Sequence, residues 1–232
     1  MQVVGVDGCK GGWLAVSYDT IRGSLTPLCH PTFEDVINSY LQAECIAVDI
    51  PIGLTTTDAR DCDKEARQVL TRLRGSSVFP APDPRILGAR SHEEASALSL
   101  RLTGKKISIQ SFGILPKVAE VNRLMTPELQ KRIVEIHPEV CFWAIANRRP
   151  MQHPKRDLAG FEERRSLLMS SLKLPMPSVI EAKCWARGAG ADDVLDAIAA
   201  AWSAKRFAEG NSRTLPVRPT KDAKGLRMEM VY

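Results

Sequence analysis

The stretch Met1 to Val16, MQVVGVDGCKGGWLAV, decides how the chain is expected to fold. It predicts a short apolar strand that runs into Asp7, followed by a glycine-rich turn and a second apolar strand. A carboxylate at the end of a buried strand costs free energy unless another group neutralises it. The glycines permit a tight turn and leave the space in front of Asp7 open. That space suits a metal ion or a phosphate, although Asp7 could instead simply cap its own turn.

The composition is that of a globular protein, since 44% of the 232 residues are apolar and 25% are charged. The net charge of +5 permits a phosphorylated partner without requiring one. No signal peptide pattern and no apolar run long enough to span a membrane is present, so we expect a cytoplasmic protein without a membrane partner. The six scattered cysteines form no CxxC pair and are expected to be reduced. The oligomeric state stays open, with a dimer as one option.

Three strands, one helix and a fully apolar strand follow one another in the first part of the chain. The apolar strand again carries an acid, Asp49, in the stretch CIAVDIPIGL, and such a continuous run is typical of a buried parallel strand. A right-handed crossover would place the strands of Asp7 and Asp49 side by side in the centre of a mixed five-stranded sheet. The predicted strands are Val3 to Asp7, Trp13 to Tyr18, Ser24 to His30, Cys45 to Ile50 and Ile133 to His137.

Helices and a proline-rich loop, SSVFPAPDP, separate the last two of these strands. We interpret residues of about 54–108 as an insertion beside Asp49, within a single domain that covers 1–232. The predicted helices are Phe33 to Ala43, Asp58 to Arg74, Ser91 to Leu102, Phe112 to Met125, Phe142 to Ala146, Leu158 to Leu172 and Asp192 to Glu209. Two short strands are predicted near Ser178 to Glu181 and over Leu226 to Tyr232.

Each strand acid has a very small residue two positions before it. Because side chains alternate between the faces of a strand, Asp7 shares its face with Gly5, and Asp49 shares its face with Ala47. These small residues would let another element pack unusually close to the face that carries both acids.

The last predicted helix, DDVLDAIAAAW, fits this role because its aspartates continue into a stripe of alanines. If the alanines pack on the small residues, Asp193 and Asp196 arrive beside the two strand acids. Carboxylates so close together repel each other, and a bound divalent cation removes this repulsion. Oxygen ligands alone favour Mg²⁺ or Mn²⁺. The ordinary alternative is that these aspartates only cap the helix and interact with its dipole.

Five further side chains are candidates for the site. Glu135 could be a fourth metal ligand and His137 a proton carrier, or both could be paired locally at the strand edge. Arg60 and Arg67 could contact phosphates of a substrate, or belong to a solvated helix face. Lys117 is a third candidate for substrate binding, although the acid three positions later favours a surface ion pair.

The chain resembles the domain-of-unknown-function 429 family, often described as predicted nucleases of the ribonuclease H-like fold. The resemblance rests on VGVDGCKGGW, AVDIPIGL, RDCDKEAR, SSVFPAP, EIHPEVCF, DDVLDAIAAAW and MEMVY, which span nearly the whole chain. The helix that begins DDVLD is also similar to the acidic helix of RuvC-type resolvases.

This resemblance implies an α/β protein: a mixed five-stranded sheet with helices on both faces and a helical insertion after the fourth strand. It implies a Mg²⁺- or Mn²⁺-dependent hydrolase that cleaves DNA or RNA. Asp7 would bridge the metals, Asp49 would hold one, and Asp193 or Asp196 would complete the set. Two alternatives stay open. One is a nucleotide-binding ATPase of the actin and sugar-kinase-like superfamily, and the other is a catalytically silent nucleic-acid-binding module.

Overall fold

A mixed five-stranded sheet forms the centre of the computed structural model, which describes residues 1–57, 59–185 and 188–232. The strand order is β3-β2-β1-β4-β5, where β1 pairs antiparallel with β2 and parallel with β4. The strands are β1 (Gln2–Cys9), β2 (Gly12–Asp19), β3 (Ser24–His30), β4 (Cys45–Val48) and β5 (Ile133–Glu135). The predicted α/β class and the central pair of parallel strands are confirmed, and the layout is consistent with the ribonuclease H-like fold.

Helices cover both faces of this sheet, as predicted. One core contains side chains from α6 to α9, and the other contains side chains from α1 and α5. The helices are α1 (Phe33–Ser39), α2 (Asp61–Val69), α3 (Thr71–Arg74), α4 (His92–Thr103), α5 (Ile109–Leu124), α6 (Pro138–Ile145), α7 (Leu158–Leu172), α8 (Val179–Trp185) and α9 (Ala191–Ala208). A two-stranded sheet of β6 (Thr214–Leu215) and β7 (Met230–Val231) lies apart from the main sheet.

Helix α9 approaches β1 very closely at Gly5. A Cβ atom at Gly5 would lie 2.0 Å from the backbone oxygen of Ala197 and 2.1 Å from the backbone nitrogen of Ala201. Since these atoms belong to the backbone, a side chain could fit there only if the helix moved. Ala47 of the neighbouring strand is fully buried in the same core. The predicted packing of the alanine stripe on the small strand residues is therefore confirmed.

Three secondary-structure predictions were wrong. The helix predicted up to Arg74 is interrupted at Leu70, between α2 and α3, and the next residue, Thr71, has a left-handed φ of 55°. Its predicted start at Asp58 lies outside the described residues. The strand predicted near Ser178 is the start of α8, and a reciprocal pair of hydrogen bonds between Ser178 and Glu181 caps this helix. The predicted closing strand contains only the two residues of β7.

The segment after β4 packs largely in two smaller cores, although Leu54, Ala81 and Leu87 also join the core on one face of the sheet. Cys62 and Ala66 of α2 join a cluster with Val78 and Trp143, and Ala95 of α4 joins another. The interpretation of residues 54–108 as an insertion in one domain stays a prediction. In the part of the chain that is described, no helix has the length and apolar character needed to cross a membrane.

We expect Gly5→Ala to lower the free energy of unfolding by at least about 3 kcal/mol, because the new methyl group would overlap the backbone of α9. Urea unfolding followed by circular dichroism measures this change. Gly113→Ala is the matched control, since Gly113 lies inside α5 with open space around it. This variant should have a free energy of unfolding higher by about 0.5–1 kcal/mol. Equal stability of the two variants would contradict the close approach.

Candidate active site

The four predicted aspartates line one cavity of about 600 Å³. Asp7 lies near the end of β1, and Asp49 follows β4, where its N–H donates to the backbone oxygen of Val6 at 3.0 Å. Asp193 and Asp196 come from the first two turns of α9. Because the close approach at β1 sets the position of α9, these residues meet at the ends of the two central parallel strands.

Burial and mutual repulsion make the charged form of these carboxyls unfavourable. Burial is the largest cause that raises the pKa of Asp7 well above its usual value, and the charges of Asp49 and Asp196 raise it further. Burial and the charge of Asp196 likewise raise the pKa of Asp49 to about 7. A site that disfavours its own negative charge is one that a cation would stabilise.

Lys155 supplies a positive charge to this cluster. Its ammonium lies 2.5 Å from Oδ2 of Asp196 and 3.7 Å from Oδ2 of Asp192, and it lowers the pKa of both strand acids. The charge of Asp196 is the main cause that raises the pKa of Lys155. Sequence reasoning missed this residue, because Lys155 lies in an irregular segment before α7, where no spacing links it to the acids.

The carboxylates of Asp7 and Asp49 accept no hydrogen bond from any described residue, although both line the cavity. Oδ2 of Asp193, by contrast, accepts from the backbone N–H of Gly190 at 2.8 Å, so the capping role foreseen for this helix is also present. In the described part of the chain, no three of these aspartates bring ligand atoms within 4.8 Å of one another. The donor set fits a divalent cation by its chemistry, but the side chains do not form a closed cage.

Glu135 lines the same cavity as the aspartates, but its position in β5 places it on the other face of the sheet from Gly5 and Ala47. It pairs in register with Val48, whose side chain belongs to the core formed with α1 and α5. The strand acids belong instead to the face of Gly5 and Ala47, which packs against α9. Counting alternate residues back from Glu135 to Ile133, which lies in the same core as Val48, would have shown this.

Arg60 lines the cavity, but its guanidinium is engaged by two carboxylates. Its guanidinium donates to both Glu135 oxygens at 2.7 Å and to both Asp63 oxygens at 2.6 and 3.2 Å. It also donates to the backbone oxygens of Ile52 and Gly53, both at 3.2 Å, which belong to the turn after Asp49. This buried arginine therefore holds in place the backbone that directly follows Asp49.

A second group of possible metal ligands surrounds the same arginine. Ligand atoms of Cys62, Asp63 and Glu135 all lie within 4.8 Å of one another, a spacing that could hold a metal ion. The guanidinium of Arg60 already donates to both carboxylates of this group, so their charge is compensated without an ion.

Arg67 and Lys117 are also engaged within the protein. Nε of Arg67 donates to the backbone oxygen of Val78 at 2.8 Å. Lys117 lines the cavity, where its ammonium donates to the backbone oxygen of Gly12 and lies 4.6 Å from the centre of the Trp13 ring. The surface ion pair favoured for Lys117 is absent among the described residues.

Glu120, the acid expected to pair with Lys117, has another role. Its carboxylate accepts from the indole N–H of Trp13 at 2.9 Å and from the backbone N–H of Phe33 at the start of α1. The wrong expectation followed from helical spacing alone, which gives no information on groups that other elements bring close.

Two residues at the start of α6 add further polar atoms to the cavity wall. Oε1 of Glu139 accepts a charged hydrogen bond from Arg164, while Oε2 of Glu139 and Nδ1 of His137 are buried without a partner among the described residues. Burial is the largest cause that lowers the pKa of His137. The sequence singled out His137 but not Glu139, which is a fifth carboxylate close enough to raise the pKa of Asp49.

A family model described as "Protein of unknown function (DUF429)" matches residues 5–221. The chain belongs to the DUF429 family. This match covers the cavity residues from Asp7 to Asp196 and confirms the family that the sequence motifs indicated. Neither the curated proteins nor the solved structures that were compared with the chain gave a match.

We expect Asp49→Asn to stabilise the metal-free DUF429 protein at alkaline pH. Because the pKa of Asp49 is raised in the folded state, its stabilising contribution is present below the unfolded pKa near about 4 and is lost as the pH rises through about 7. The variant should therefore melt at nearly the same temperature as the wild type near about pH 4 and several degrees higher at about pH 8. Millimolar Mg²⁺ should reduce the difference. The exposed Asp61→Asn is the control, and a constant difference across this pH range would contradict the assignment.

We expect Arg60→Met to lower the free energy of unfolding by about 3–5 kcal/mol, because it leaves two buried carboxylates without their partner. Arg72→Met, at an exposed position, should change it by less than about 0.5 kcal/mol. Chemical denaturation of both variants measures this. Recovery of the Arg60 variant on addition of Mn²⁺ would show that the Cys62, Asp63 and Glu135 group can take a metal once the guanidinium is gone.

Proposed function

We propose that this DUF429 protein is a Mg²⁺- or Mn²⁺-dependent hydrolase that cleaves phosphodiester bonds of nucleic acid. The observation that carries this proposal is the convergence of Asp7, Asp49, Asp193 and Asp196 on one cavity, where the first two are not paired. A purely structural cluster would be expected to have its charges compensated internally, as those around Arg60 are.

The residues of the cavity have distinct tasks in this proposal. A bound divalent cation would activate a water molecule and neutralise charge on the phosphodiester. Asp7 and Asp49 would hold the cation with carboxylates that accept no hydrogen bond from a described residue. Asp196 approaches from α9, and Lys155 stabilises its charge. Since these three aspartates lie on a strand, at a strand end or on a long helix, their positions are set before any substrate arrives.

Cationic side chains around the cavity favour a substrate that carries phosphates. Lys117, Lys155, Arg74 and Arg156 line it, and the whole chain has a net charge of +5. The binding of a nucleic acid strand should therefore weaken as the salt concentration rises. Neither the composition nor the cavity distinguishes DNA from RNA, so both belong in the test.

We expect Asp7→Asn to reduce Mn²⁺-dependent cleavage by at least about a hundredfold, because it removes the most central unpaired carboxylate. The measurement is cleavage of labelled single- and double-stranded DNA and RNA, with Mn²⁺, Mg²⁺ or a chelator. Asp193→Asn should have a smaller effect, since one of its oxygens caps α9. The exposed Asp61→Asn should cleave like the wild type.

Full activity of Asp7→Asn would overturn the proposed mechanism. A wild type that binds nucleic acid but never cleaves it, and whose melting temperature ignores metal, would favour the catalytically silent binding module. Stabilisation by ATP without binding of nucleic acid would favour the nucleotide-binding ATPase.

A further inference from the structure

Part of the wall of the same cavity is apolar and open to solvent. Leu73, Phe79 and Ile114 line the cavity together with the carboxylates, and Phe79 and Leu73 keep 38% and 49% of their surface exposed. Phe79 belongs to the proline-rich loop between α3 and α4. An aromatic ring that is left in water beside a charged centre is a candidate contact for a ligand with a flat apolar face.

The loop that carries Phe79 is held firmly on both sides of the ring. Before it, Val78 is fully buried and its backbone oxygen accepts from Nε of Arg67 at 2.8 Å. After it, the backbone N–H of Ala81 donates to Oδ2 of Asp63 at 3.0 Å. Asp63 is in turn fixed by the buried Arg60. The exposure of Phe79 is therefore set by the fold, and the ring needs little ordering when a ligand arrives.

The chemistry of the cavity restricts what could lie on this ring. The carboxylates with their cation, together with Lys117 and Arg156, suit a phosphate, whereas Phe79 and Leu73 suit a flat apolar group nearby. A nucleotide joins these two features in one molecule. A volume of about 600 Å³ is in the range that accommodates a ligand the size of a nucleotide.

We propose that Phe79 stacks on an unpaired base of a single nucleic acid strand, next to the phosphodiester that meets the acid cluster. This inference rests on the proposed function and specifies its substrate as single-stranded. A base inside a duplex has both faces covered by its neighbours, so only an unstacked base can lie on the ring. Such stacking accepts every base and gives little sequence preference.

The experiment measures binding separately from cleavage, in an Asp7→Asn background that leaves the strand intact. Fluorescence anisotropy follows a fluorescein-labelled 12-nucleotide single strand, the same strand made of abasic units, and a duplex. Phe79→Ala should weaken binding of the intact strand by about 5- to 100-fold, the effect of losing one base–aromatic contact. Phe79→Trp should keep the affinity, and Phe79→Leu should keep only part of it.

The remaining probes define what the ring recognises. The abasic strand should bind equally weakly to the protein with Phe79 and to the one with alanine there, and the duplex should show no dependence on this position. Ile21→Ala is the matched control, because Ile21 is 84% exposed but does not line the cavity. Competition by a free mononucleotide as strong as that by the unlabelled intact strand would assign the site to nucleotides rather than to strands, and would overturn the proposed substrate.

Equal affinity of the Phe79 variants for the intact strand would overturn this inference, as would failure to bind any strand. The two proposals can fail separately. Base-dependent binding to Phe79 by a wild type that never cleaves would refute the hydrolase and leave the stacking contact standing. Metal-dependent cleavage that is the same for Phe79→Ala and for wild type, on single strands and duplexes alike, would refute the stacking contact and leave the hydrolase standing.

Discussion

The approach of α9 to β1 at Gly5 is the contact on which the site depends. A helix normally stands off from a sheet by the length of the side chains between them, but here the backbone of Ala197 and Ala201 meets the strand directly. That contact sets the distance between α9 and the sheet. It therefore brings Asp196 close enough to Asp7 and Asp49 to raise the pKa of both. A larger residue at position 5 would lift α9 away and spread the charges that the cavity collects.

The fold contains two kinds of buried charge side by side. The carboxylates of Asp63 and Glu135 are compensated by Arg60, and that of Glu139 is paired with Arg164. Asp7 and Asp49 have no such partner among the described residues and keep a raised pKa. Arginine side chains compensate the other buried acids of this fold. The carboxyls of Asp7 and Asp49 face the cavity without such compensation, which lowers the stability of the folded protein. Such an unfavourable arrangement is typical of a site that awaits a ligand.

Sequence patterns predicted the parts of this structure that depend on the periodicity of apolar residues and on the positions of small residues. The pair of central strands and the packing of α9 follow from apolar runs, crossover handedness and two small residues beneath two acids. The patterns did not predict the partners of long side chains, because Arg60 and Lys155 reach groups that only the tertiary fold brings near. Glu135 shows the same limit, because it lines the cavity while its carboxylate accepts hydrogen bonds from Arg60 on the opposite face of the sheet from Gly5 and Ala47.

The two arginines expected to bind phosphates, Arg60 and Arg67, hold parts of the backbone in place. Arg60 fixes the turn after Asp49 through the backbone of Ile52, and Arg67 fixes the loop of Phe79 through the backbone of Val78. Arg60 lines the cavity with its charge paired to Asp63 and Glu135, whereas Arg67 does not line it. Each arginine nevertheless holds the backbone of one cavity wall. Because Asp63 links Arg60 to the backbone of that same loop, the acid wall and the apolar wall share one buried network. A substitution of Arg60 or Asp63 should therefore disturb both walls together, whereas a substitution of Phe79 should disturb only the apolar wall.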